Sequence, residues 1–340
     1  MELLKRLTEE HGPSGDEGKI REIIKKEIKP YVDELYRDKF GNLVARKKGK
    51  GTSVLLAAHM DEIGVMVKSI DVDGKVYISP VGGIEPVVLL GEKVKIISGT
   101  GKTVFGILTC KEIQDGAELT ALPAMEDVYA DVGMCAKEVK KAGIAPGNYA
   151  YLMKGYMEMA DGNVVSGKAL DDRIGCYILL ELAKKLKNSN ADVYYVFTVQ
   201  EEIGLYGAKT SLYSIDPEYA IVVDVTESDD GRLHEGHGKC LGHGPVIVYK
   251  DAEMITNKCI NDWLIKAAKK LKIEVQPDVG NFGTTDALSV SVSKGGIPCT
   301  AVGVPVRNIH STTSVANKQD IKDAIKIIYE VLKNPPKVCL

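Results

Sequence analysis

Apolar residues recur along this chain with two different periods. In DDRIGCYILLELAKKLK (171–187) they fall at Ile174, Ile178, Leu182 and Leu186, which is one face of a helix. PSGDEGKIREIIKKEIKPYV (13–32) keeps Ile20, Ile23 and Ile24 on a stripe. Ser14 and Glu17 have capping-box spacing there, and Pro30 closes the segment. INDWLIKAAKKLK (260–272), NKQDIKDAIKIIYEVLK (317–333) and the short LYGAKTSLYS (205–214) also read as helices. Between them lie compact apolar runs of strand length: SVLLAAHMDE (53–62), DVYYVFTV (192–199), YAIVVDV (219–225) and IPCTAVGV (297–304).

Strands that alternate with helices predict a sheet covered on both faces. From about residue 66 to 162 the texture differs. Short β-type runs such as KVYISPVGG, EKVKIISG and TVFGILTC are separated by glycine-containing turns, with one helical stretch near 131–142. The expected architecture is α/β: a mixed sheet with helices on both faces, built from residues 1–65 and 163–340. A small β-rich domain, residues 66–162, is inserted into it.

Composition narrows the class. The chain has 340 residues, 44% apolar and 27% charged, which is ordinary for a globular protein. A net charge of −3 with interspersed signs implies no nucleic-acid-type basic face, so no nucleic-acid partner is expected. No apolar run approaches membrane-spanning length, so no membrane partner is expected. The start, MELLKRLTEEHG, has no signal-peptide apolar stretch. Seven cysteines without a CxxC pair disfavour a disulfide framework or a zinc knuckle. These features predict a reduced, cytoplasmic protein.

The chemistry collects where strands are expected to end. His59 and Asp61 follow VLLAA; Glu201 and Glu202 follow YYVFTVQ; Asp224 follows AIVV. His310 lies a short loop beyond CTAVGV, and Asp171 and Asp172 open a helix. Ligands of open α/β sheets bind outside the carboxyl ends of the strands. Each feature alone has a plainer explanation, since paired aspartates cap helices and paired glutamates sit in solvent. Together they form a His and carboxylate set suited to zinc or a similar divalent metal. Asp224, flanked by valines, is the hardest to explain as solvated surface. The adjacent pair Glu201 and Glu202 is the oddity, because neighbouring strand residues face opposite ways.

AAHMDEIG, GKALDDRIG, TVQEEIGLYGA, VVDVT and IHS, in this order, resemble metallopeptidase family forty-two, the tetrahedral TET-type aminopeptidases, some once called endoglucanases. The resemblance implies a metal-dependent aminopeptidase with two divalent metal ions per subunit, zinc or cobalt, acting on short peptides. His59, Asp171, Glu202, Asp224 and His310 would be the metal ligands, with Asp171 shared. Glu201 would be the general base and Asp61 would orient His59. The inserted domain would mediate self-association into a hollow dodecamer. Choosing Asp171 over Asp172 as the shared ligand rests on the family motif alone.

Two departures stand out. IHSTTSVANKQD lacks the proline expected after IHS, and FGTTDA carries an extra threonine. LHEGHGKCLGHG adds His234, His237 and His243, read as an ordinary exposed loop. A related two-metal deacylase or carboxypeptidase is the alternative function. A glycosidase is disfavoured by one Trp and four Phe, thin for a sugar-stacking cleft.

Overall fold

The structure, a computed structural model, describes residues 1–118, 120–230 and 238–337. The chain opens with helices α1 (Glu2–Glu9) and α2 (Gly18–Ile28), then strands β1 (Glu34–Arg37), β2 (Leu43–Lys47) and β3 (Ser53–His59). Next come β4 (Gly64–Ile70), β5 (Val76–Val81), β6 (Lys93–Ile97), β7 (Thr103–Thr109), α3 (Lys111–Gln114), β8 (Tyr129–Asp131), α4 (Ala136–Lys141) and β9 (Tyr149–Leu152). The middle of the chain supplies β10 (Met157–Met159), β11 (Val164–Gly167), α5 (Leu170–Leu186), β12 (Asp192–Thr198), α6 (Tyr206–Ser211) and β13 (Tyr219–Glu227). It closes with β14 (Val246–Lys250), α7 (Lys258–Leu271), β15 (Gln276–Val279), α8 (Asp286–Ser291), β16 (Cys299–Arg307), β17 (Ser314–Asn317) and α9 (Lys318–Leu332).

Two sheets result. The large one is mixed, in the order β1-β2-β12-β3-β13-β16-β17-β11-β10, with β14 and β15 branching from β16. Its centre, β12-β3-β13-β16, is parallel. The second is a closed barrel, β4-β5-β8-β7-β6-β9, with its own apolar core of Val65, Val94, Ile96, Leu108 and their neighbours. β10 pairs with β11 and so belongs to the large sheet.

Alternation along the central strands explains why both faces need helices. Leu56, Ala58, Ile221 and Val223 point to one face, packed with Ile20 and Ile24 of α2, Ile174 and Ile178 of α5, and Ile328 of α9. Leu55, Ala57, Ala220 and Val222 point to the other, packed with Ala208 of α6 and Ala287 of α8. Burying each large aliphatic side chain contributes roughly 1.5–3 kcal/mol, so the α5 stripe alone anchors that helix firmly.

Two local expectations are corrected. The Ser14–Glu17 capping box does not form; α2 begins at Gly18 without a side-chain cap. The Ser14 hydroxyl instead donates to the buried Asp61 carboxylate, a charge-assisted bond stronger than a neutral cap, and Glu17 accepts from the Gly15 amide. The chain is also not wholly reduced. Cys110, Cys135, Cys176, Cys240 and Cys299 carry free thiols, whereas Cys259 is disulfide-bonded. Among the described residues no helix is long and apolar enough to cross a membrane.

Candidate metal centre

The parallel register brings the chemistry to one level of the sheet. Thr198 pairs with His59, and Val222 pairs with Ala57, which sets Asp224 level with His59 across β3 and β13. Asp224 lies inside β13, which continues to Glu227. The start of α5 supplies the next two carboxylates. Asp171 and Asp172 are joined by a cis peptide and keep non-helical backbone angles, so the regular helix starts after them.

His59 is the hub. Its Nε2 lies 2.9 Å from Asp171 Oδ1, 3.8 Å from Asp224 Oδ1 and 4.0 Å from Glu201 Oε2. Its Nδ1 lies 3.2 Å from the Asp61 carbonyl oxygen and 3.5 Å from the Asp61 carboxylate. His310, on the loop between β16 and β17, places Nε2 3.5 Å from Asp171 Oδ2 and 3.5 Å from Glu202 Oε2. Asp171 therefore presents one oxygen to each histidine.

The pair of adjacent glutamates is also accounted for. β12 ends at Thr198, and Gln200 takes a left-handed backbone (φ 55°), so strand alternation stops before Glu201. Asp61, fully buried, then accepts the Glu201 amide at Oδ1 (3.1 Å) and the Glu202 amide at Oδ2 (3.2 Å). Both glutamates turn inward from one clamped turn.

Donor atoms of His59, Asp171 and Glu202 lie within 4.8 Å of one another, as do those of His59, Asp172 and Asp224. Asp172 was not expected among the ligands; its Oδ1 accepts the Gly175 amide at 2.8 Å, as a helix-start residue would. His243 is exposed, 3.9 Å from Glu274, and belongs to neither group. His234 and His237 lie outside the described residues.

The electrostatics call for cations. Burial pushes the carboxyls of Glu201, Glu202 and Asp172 well above their ordinary range, and neighbouring carboxylates add to it. Burial, together with Asp171, pushes Asp224 up to about 8. Burial opposes charging of His59, but Glu201, Asp171, Asp61 and Asp224 outweigh it and hold its pKa well above normal. Glu202 Oε1 and Asp172 Oδ2 are buried without a hydrogen-bond partner. Such groups are costly when unpaired. Two imidazoles and several carboxylates are also the donor set that borderline divalent ions take. The residues fit a divalent metal site.

Several supporting residues had no separate signal in the sequence. Glu62 forms a buried ion pair with Lys168 (2.7 Å) and accepts the Gly12 amide at 2.8 Å. Arg173 reaches the carbonyls of Met60, Leu7 and Glu10. This network ties the His59 loop to the Asp171 loop and to α1. All three residues lie inside the HMDE and GKALDDR stretches, and that proximity was the available clue. Asp286 of FGTTDA is fully buried, accepts the Thr198 hydroxyl at 2.5 Å and has an unpartnered Oδ1. Burial pushes it up to about 6.

Comparison with known proteins places these observations in a family. The sequence pattern of the M42 glutamyl aminopeptidases matches residues 41–327. The lysyl aminopeptidase of Pyrococcus furiosus is 32% identical over 341 residues, covering 98% of this chain and 96% of that protein. An aminopeptidase from the archaeon Desulfurococcus kamchatkensis superposes with a TM-score of 0.93 at 33% identity, covering 99% and 94% of the two chains. The TET1 peptidase of Pyrococcus horikoshii, which can assemble into a tetrahedron or a large octahedral shell, superposes with a TM-score of 0.87 at 30% identity, covering 97% and 98%.

Proposed function

The chain belongs to the M42 glutamyl aminopeptidase family, and from that membership we propose how its residues divide the work of an aminopeptidase. His59 and Asp224 would hold one divalent ion, Glu202 and His310 a second, and Asp171 would serve both. Zinc suits this donor set best, with cobalt as the alternative. When bound, such ions polarise a peptide carbonyl and lower the pKa of water. The observation that carries this reading is Asp171, with one oxygen 2.9 Å from His59 and the other 3.5 Å from His310.

Glu201 is the general base in this reading. It stands 4.0 Å from His59 and has no ligand role of its own. It takes a proton from the attacking water and returns it to the leaving amine. Asp61 fixes the turn that carries it. The surplus of carboxylates around the centre favours a substrate whose free α-amine is a cation, which positions the first peptide bond.

The reading extends to assembly. Residues 66–162 would be the self-association domain, and the oligomer a tetrahedral dodecamer in the cytoplasm. Phe105 and Ile107 on β7 support this, because both are exposed on one face of the barrel. The experiment is a mass-spectrometric time course on one short peptide, free and N-acetylated. Loss of one residue at a time from the amino end of the free peptide is expected. Internal fragments, or equal cleavage of the acetylated peptide, would overturn the proposal.

A further inference from the structure

The barrel reaches the metal centre at two places that neither the chemistry nor the assembly uses. The first is a hydrogen bond. Thr312, two residues past His310 and 2% exposed, donates its hydroxyl to Glu92 Oε1 at 2.8 Å. Glu92 immediately precedes β6 and is well anchored. Its amide donates to the Leu89 carbonyl at 3.0 Å, and its carbonyl accepts the Leu108 amide at 2.9 Å. Lys154 lies 3.3 Å from the same carboxylate.

The second is a close approach. Gly82 and Gly83 follow β5, and their backbone packs on the two ligands assigned to one ion. A Cβ at Gly83 would stand 3.2 Å from His310 Nδ1 and 3.4 Å from Cε1. A Cβ at Gly82 would stand 3.2 Å from Glu202 Cβ and 3.3 Å from Oε2. Gly82 also takes φ +88°, open to glycine at no steric cost. Both contacts are tighter than ordinary packing, so a methyl group at either glycine requires the imidazole or the glutamate to give by a few tenths of an ångström.

His310 needs such help. Its side chain is 43% exposed, against 2% for His59, and its backbone is left-handed (φ 55°). Among the described residues the hydrogen bonds of 308–313 are internal, running from Ser311 and Ser314 to Asn308 and from Asn308 to Thr313. The exception is the bond from Thr312 to the barrel. Besides it, the loop is held from outside only by Ile309 packed on the large core and by the contacts of the imidazole itself with Asp171 and Glu202.

We infer that the barrel is a positioning element for the second ion: Glu92 pins the His310 loop through Thr312, while Gly82 and Gly83 form the wall against which Glu202 and His310 are seated. The inserted domain then completes the catalytic centre as well as carrying the assembly surface. Partners of this kind, which orient a ligand without touching the metal, typically govern affinity by about 10–100-fold. The inference rests on the reading that Glu202 and His310 share an ion.

The test is release of metal from the full-length holoenzyme into a chromophoric chelator, with ions counted per chain. Thr312→Val removes the hydroxyl at nearly constant volume, and Gly83→Ala sets a methyl group against the imidazole. Each is expected to give up one ion at about tenfold lower chelator concentration, with the other ion held as in the wild type. Thr312→Ser, which keeps the donor, should behave as wild type. His310→Ala serves as the control for the ligand reading. Loss of one ion from His310→Ala, with both ions held normally by Thr312→Val and Gly83→Ala, overturns this inference alone. Equal weakening of both ions in those variants overturns it too, because the role would then be general. Retention of both ions by His310→Ala overturns the ligand reading beneath it.

Discussion

Ser14 donates its hydroxyl to Oδ2 of Asp61 at 2.6 Å, and both residues are buried. Asp61 passes that constraint on, because its two oxygens hold the amides of Glu201 and Glu202. The Tyr149 hydroxyl donates to the Ser14 carbonyl at 2.7 Å and so fixes Ser14 from the barrel side. Burial opposes ionisation of Asp61, but His59 and the Ser14 hydroxyl hold its carboxyl below the usual range.

Ser14→Ala is therefore expected to loosen the turn that carries the two glutamates. Losing a bond to a buried charged group costs about 1.5–3 kcal/mol. Activity should fall about 10–100-fold with metal content unchanged. Thermal unfolding and turnover measured together check this. A variant with wild-type stability and turnover would show that the bond positions nothing.

Glu201→Gln separates the base from the ligands. It should keep both ions and the fold while activity falls by about 10²–10⁴-fold. Glu202→Gln should instead weaken one ion. Metal analysis of the two purified variants decides, and the reverse pattern would exchange the roles.

Asp171→Asn and Asp172→Asn test which aspartate serves both ions. Asp171 faces both histidines, so its amide variant should lose occupancy at both sites. Asp172 Oδ1 is engaged by the Gly175 amide, so Asp172→Asn should alter stoichiometry less. If Asp172→Asn empties both sites, the shared ligand has been misassigned.

Away from the centre, Arg307 makes a two-pronged ion pair with Asp230, at 2.8 and 2.7 Å. The Arg307 hydrogen bonds hold the Asp230 carboxyl down at about 2. A carboxyl with a folded pKa below its unfolded one stabilises the fold fully above the unfolded value, and that contribution is lost as pH falls through the folded value. Arg307→Met should cost on the order of 1 kcal/mol at pH 7, a figure reduced for solvent screening of the half-exposed guanidinium. Urea midpoints of the two proteins should converge between about pH 4 and 2. A difference that stays constant across that window would refute the assignment.

The assembly proposal predicts a dodecamer by light scattering at micromolar concentration. Phe105→Glu combined with Ile107→Glu should release smaller species that still bind metal. A wild-type monomer would remove this part of the proposal and leave the chemistry untouched.

Periodicity alone made α5, α7, α9 and the central strands legible, because one apolar stripe per element is a property of neighbouring residues. The His and carboxylate positions at strand ends were legible for the same reason. What the sequence could not determine were relations between segments far apart in the chain. Ser14 reads as a helix cap because Ser-x-x-Glu spacing is local, yet a buried carboxylate 47 residues away makes the better acceptor. Asp171 and Asp172 are chemically identical neighbours, and only the fold turns one toward both histidines and the other toward the Gly175 amide. The adjacency of Glu201 and Glu202 looked paradoxical in a strand; the left-handed Gln200 and the Asp61 clamp resolve it in three dimensions. Gly83 carries no chemistry in the sequence, and its importance lies in the imidazole packed 3.2 Å from where its side chain would be. Local pattern determines which elements form and which side chains they offer. Close packing of distant segments decides which of those side chains meet, because a hydrogen bond or a ligand contact depends on tenths of an ångström that no spacing along the chain encodes.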